Sequence, residues 1–129
     1  MEKYFYDSSM IIEGYKNNPL AVLIYQKLAK INHSAYINII IWSEVSYILI
    51  SKKCFSVDEL RIRFSKFNFL NSSQLIYELA FDFMQKYNLK PNDAFILATC
   101  KFYQIPNLVS LDSHFVEPCK AENINLINS

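Results

Sequence analysis

The alternation of short β-favouring runs with longer stretches of helical spacing constrains this chain more than any other feature. Lys3 to Tyr6, Ala35 to Ile41, Asn68 to Leu70, Leu108 to Ser110 and Ile124 to Ile127 read as strands. Helical patterning fills the gaps: Met10 to Tyr15, Leu20 to Ile31, a stretch ending near Lys52, Ser56 to about Lys66, Asn71 to about Tyr87, and Asn92 to Tyr103. In two of these, Leu20, Leu23, Ile24, Leu28 and Ile31, and then Leu75, Leu79 and Phe83, recur at helical steps. Ser56 followed by Glu59 has the form of a capping box, and Asn92 is a good N-cap that puts Asp93 in the first turn of its helix. Ser8 and Ser9 are placed to cap the segment after the first strand. Strands alternating with helices predict an α/β fold with a parallel sheet covered on both faces. Ile39, Ile40 and Ile41 fit either state, so the end of the second strand is left open. At 129 residues and 52% hydrophobic, the chain has material for one domain, 1–129, with its own core.

In an open parallel sheet, ligands collect beyond the carboxyl ends of the strands. The acids are therefore read by position. Most of the twelve lie among polar neighbours. Asp7 instead ends the first strand, Asp112 follows the fourth, Asp93 opens an apolar helix, and Glu44 stands among Ile40, Ile41, Trp42, Val45 and Ile48 with no Lys or Arg from Ala35 to Ser51. Singly, each has an ordinary explanation: turn formation for Asp7 and Asp112, and attraction to a helix N-terminus for Asp93. An ionised Glu44 in apolar surroundings needs a distant partner or a metal. If the four converge they repel one another, and a hard divalent cation such as Mg²⁺ or Mn²⁺, one ion or two, resolves the repulsion. Such an ion activates water and neutralises a phosphate under attack.

These motifs resemble the PIN domain family, in particular the small VapC-like ribonuclease toxins. Tyr6-Asp7-Ser8-Ser9 is similar to the family's opening strand and Asp-Ser/Thr step, Trp42-Ser43-Glu44-Val45 to its helical Glu, Pro91-Asn92-Asp93-Ala94-Phe95-Ile96-Leu97-Ala98-Thr99 to its third motif, and Leu108-Val109-Ser110-Leu111-Asp112-Ser113-His114-Phe115 to its last. The resemblance runs from about residue 3 to 127. It implies a three-layer α/β/α fold with a five-stranded parallel sheet in order 3-2-1-4-5. It also implies Mg²⁺- or Mn²⁺-dependent endoribonuclease activity, a homodimer and a cognate small antitoxin. Asp7, Glu44, Asp93 and Asp112 would be the catalytic and metal-binding acids, supported by Ser8, Ser9, Ser110 and His114. The chain departs from the family at Ser9, where Asn is frequent, and at His114, where a further acid is frequent. Those departures motivate a competing expectation, a PIN-like module that binds RNA or protein without cutting. A phosphatase-like reading built on Asp7 wants a basic residue near the strand ends, and none is adjacent in sequence.

The net charge of +1 excludes strong overall attraction to polyanions. Lys52, Lys53, Arg61, Arg63 and Lys66 outnumber Asp58 and Glu59 locally and form the candidate RNA-contacting surface. Phe55, Phe64, Phe67 and Phe69 beside them, and Trp42, are expected in packing. His33 is expected in an exposed turn. Cys54, Cys100 and Cys119 form no C-x-x-C pair and read as free thiols, small buried hydrophobes in a reducing setting. No secretory or membrane-spanning segment is evident, so the expected location is cytoplasmic.

Overall fold

The computed structural model describes residues 1–129. Five parallel strands, β1 (Glu2–Tyr6), β2 (His33–Ile37), β3 (Asn68–Phe69), β4 (Asn107–Val109) and β5 (Asn125–Ile127), form one sheet in the order β3-β2-β1-β4-β5. Helices α1 (Ser8–Tyr15), α2 (Pro19–Ala29), α3 (Ile39–Ser51), α4 (Val57–Phe64), α5 (Gln74–Tyr87), α6 (Pro91–Phe102) and α7 (Val116–Ala121) make the crossovers. The sheet is covered on both sides. Tyr4, Phe5 and Tyr6 alternate in direction along β1 yet are all buried, as is every residue of β4. α6 supplies the densest part of the core, with Ala94 through Cys100 buried without a break.

The helix boundaries follow local chemistry. The Asn38 side chain accepts from the Ile41 N–H, so Ile39 to Ile41 belong to a helix and the strand before them ends at Ile37. His33 and Ser34 lie in β2, not in a turn. His33 is half-buried, with Nε2 2.9 Å from the Tyr6 hydroxyl. The Ser56–Glu59 capping box forms reciprocally, and its helix ends at Phe64, short of Lys66. Asn92 is not the cap of its helix. Lys90 is, because Pro91 lacks an N–H and suits the first helical position.

Several apolar residues expected inside are exposed. α3 buries Ile41, Val45 and Leu49 at four-residue steps, which turns Trp42 outward at 46% exposure. α5 buries Ile76, Ala80 and Phe83, so the inward stripe lies mainly one residue beyond Leu75 and Leu79. α2 buries Ala21, Ile24 and Leu28 and leaves Leu20 and Leu23 outside. Phe64 is buried, Phe55 and Phe67 pack against the core and Phe69 is exposed. All three cysteines are free; Cys54 is exposed rather than buried. No helix is long and apolar enough to cross a membrane.

Candidate metal centre

The carboxyl ends of β1 and β4 lie side by side, and the first residues beyond them build the site. The Asp7 N–H donates to the Val109 carbonyl at 2.9 Å, continuing the β1–β4 ladder and placing Asp7 next to Ser110. Asp7 stands at the N-cap of α1 but does not cap it. Its Oδ2 instead accepts from Ser9 Oγ and Ser110 Oγ, both at 2.8 Å. The same hydroxyls receive the Leu111 N–H at 3.1 Å and the Asp112 N–H at 3.0 Å. Two serines thus fasten the end of β1 to the turn that carries Asp112. Ser8 and Ser9 occupy the first helical positions rather than the cap.

Asp112 caps the 3-10 turn Ser113–Phe115 by accepting from the His114 N–H at 2.9 Å. His114 Nδ1 lies 3.1 Å from Asp112 Oδ1 and 3.9 Å from Asp93 Oδ2. One ligand atom from each of Asp93, Asp112 and His114 falls within 4.8 Å of the others. Glu44 approaches from α3. Its carboxylate accepts from Ser8 Oγ at 3.0 Å and from Asn92 Nδ2 at 3.4 Å. It is half-buried, so its neighbours Ser8 and Asn92 meet its hydrogen-bonding needs without an enclosed counter-ion. Glu44, Lys90, Pro91, Asn92, Asp93, Asp112 and His114 line a cleft of about 430 Å³ with no hydrophobic side chain.

The acids act on one another. Asp7 is 5% exposed, and burial raises its pKa, opposed by the Ser110 and Ser9 hydroxyls and reinforced by Asp112. Asp93 is pushed up to about 6, first by burial and then by the negative charges of Asp112 and Asp7, with His114 opposing. Carboxylates held together against their mutual repulsion, with hard oxygen donors and one imidazole, suit a divalent cation. The fit rests on Asp93 and Asp112, with Asp7 and Glu44 close enough to bear on Asp93.

The structure therefore gathers Asp7, Glu44, Asp93 and Asp112, with Ser8, Ser9, Ser110 and His114 among them. It does not bring the five cations to the cleft. Lys52, Lys53, Arg61, Arg63 and Lys66 are all exposed, and none lines it. Arg63 lies over the rings of Tyr15 and Phe55, at 5.5 and 5.3 Å from their centroids, and Arg61 borders an apolar groove with Trp42 and Phe69. Two further residues, Lys90 and Asn92, border the cleft from the start of α6; in the sequence Asn92 reads only as a helix cap and Lys90 carries no motif. Their nearness to Asp93 in sequence was the available signal.

Fold and cleft define a class: small parallel α/β domains that gather carboxylates where the central strands end. A model of the PIN domain matches residues 4–121. Ribonuclease VapC2 of Methanocaldococcus jannaschii is 30% identical to it over a match that covers 88% of this chain and 87% of that protein. Among solved structures, a toxin–antitoxin complex from Klebsiella pneumoniae superposes with a TM-score of 0.75 at 29% identity, covering 88% of this chain and 90% of that one. VapBC2 from Rickettsia felis, bound to a promoter DNA fragment, shares the fold at a TM-score of 0.69 and 16% identity, covering 96% of each chain. The chain belongs to the PIN domain family.

Proposed function

We propose that the protein is a divalent-metal-dependent endoribonuclease and the toxin of a toxin–antitoxin pair. The observation that carries the reading is the convergence of Asp7, Glu44, Asp93 and Asp112 at the carboxyl ends of β1 and β4. The similarity to Ribonuclease VapC2 supports RNA as substrate, and the similarity to the Klebsiella toxin–antitoxin complex supports a protein antitoxin. Asp93 and Asp112 would hold the metal, with Asp7 and Glu44 completing the acidic wall. Bound there, a Mg²⁺ or Mn²⁺ ion supplies positive charge against the scissile phosphate and lowers the pKa of an attacking water. The protein's own groups do the positioning. Ser9 and Ser110 fix one oxygen of Asp7, and Ser8 and Asn92 fix Glu44. His114 Nδ1 stands between Asp112 and Asp93.

Purified protein given a structured RNA should cut it with Mg²⁺ or Mn²⁺ and leave it intact with chelator. Asp93→Asn should bind RNA without cutting. Intact tRNA, rRNA and mRNA under all metal conditions would refute the reading. One observation favours a second, non-cutting reading: the His114 ring, 3.1 Å from Asp112, already stands where a cation would sit. RNA binding that is indifferent to metal and to Asp93→Asn would select it.

A further inference from the structure

We propose that Lys90 is the side chain through which the acidic cleft holds a backbone phosphate of its RNA substrate. Three side-chain donors line the cleft: Lys90, Asn92 and His114. Two are engaged by carboxylates. Asn92 donates to Glu44 at 3.4 Å, and His114 lies 3.1 Å from Asp112 and 3.9 Å from Asp93. Lys90 makes no side-chain hydrogen bond and no ion pair within 4.0 Å, although the cleft around it is rich in carboxylates. The cation therefore borders the acids without pairing with any of them.

Its position is fixed from both sides. Lys90 is the N-cap of α6, in an extended conformation with φ −67° and ψ 155°. The following Pro91 disfavours a helical backbone at the preceding residue, which holds Lys90 in that conformation. The start of α6 adds N–H groups without intrahelical partners and their partial positive charge. A cleft of carboxylates repels RNA, and an unpaired ammonium on its rim gives the phosphate a point of attachment. A lysine there is a compact point charge that reads the backbone and not the base.

The inference rests on the ribonuclease reading and is tested alongside it. Binding of a fluorescent single-stranded oligoribonucleotide is followed by anisotropy in EDTA over a salt series, and cleavage is followed with Mg²⁺ or Mn²⁺. Lys90→Ala should weaken binding about tenfold and flatten the slope of log K against log salt by about 0.7. In the cleavage assay KM should rise while kcat is kept. Lys90→Arg should retain most of the affinity, and Lys27→Ala, on α2 away from the cleft, should match wild type. Lys90→Ala binding with wild-type affinity and slope overturns the inference, as does an equal loss in Lys27→Ala. If wild type binds and cuts while Lys90→Ala is indistinguishable from it, the Lys90 assignment alone falls. If wild type neither binds nor cuts RNA, both readings fall.

Discussion

Asp93→Asn should make the metal-free protein more stable at neutral pH, although the same change should abolish cleavage. The Asp93 side chain is 17% exposed and lies near Asp7, Glu44 and Asp112, and its pKa rises from the ordinary 3.8 to about 6. A group whose folded pKa exceeds its unfolded value binds more protons when folded, so its contribution to stability falls as pH rises between the two values. Here the fall runs from about pH 4 to about pH 6, and above that the full penalty persists. The displacement corresponds to ~3 kcal/mol, which solvent reaching the cleft reduces to ~1–2 kcal/mol. The amide removes that penalty and forfeits only the long contact with His114. Urea denaturation in EDTA at pH 7.5 should therefore favour the variant by ~1–2 kcal/mol, or about 4–8 °C in Tm. Near pH 4 the two proteins should converge. Added Mn²⁺ should raise the Tm of wild type more than that of the variant. A variant less stable than wild type at pH 7.5, or a difference independent of pH, would refute the electrostatic account of the cleft.

Three other substitutions probe the scaffold. Ser110→Ala removes a donor to buried Asp7 and the acceptor of the Asp112 N–H, and should cost ~1–3 kcal/mol in urea titrations while reducing cleavage. Ser56→Ala opens the capping box of α4, far from the acids; a loss of ~1 kcal/mol with cleavage unchanged is expected. Gly14→Ala places a Cβ 2.5 Å from the Tyr25 ring, so crowding of ~1–3 kcal/mol should exceed the ~1 kcal/mol gain in helix propensity, visible as a lower Tm.

The acids were legible because each stands next to a strong local pattern. Asp7 follows a β-favouring run and Asp112 follows another, and a parallel sheet brings such ends to one edge whatever the helices do in detail. Glu44 was found for a reason only partly right. Its apolar sequence neighbours include Trp42, which faces solvent, and its carboxylate faces Ser8 and Asn92. The inward faces of α2 and α5 were poorly legible because both helices carry apolar residues over more of their circumference than they bury, so that two stripes one residue apart satisfy the same period. Lys90 stands three residues before Asp93, but that nearness alone does not single it out. Its meaning depends on which donors in the cleft are already engaged, and that follows from partners scattered along the chain.

The position of β1 in the sheet has a consequence for how the chain comes to be active. This strand precedes the other four in the chain, yet it lies between β2 and β4, and β4 is made only from residue 107 onward, after β2 and β3. A nascent chain that stops before residue 107 carries Asp7 and Glu44 but cannot set Asp7 against Ser110 or supply Asp112. It also leaves one edge of β1 unpaired, an invitation to association with other chains. Pairing across so much intervening sequence should make this closure slower than the local contacts of the helices. The carboxylate cluster is thus assembled only once β4 and the turn after it have been made, and shorter copies lack it by their topology.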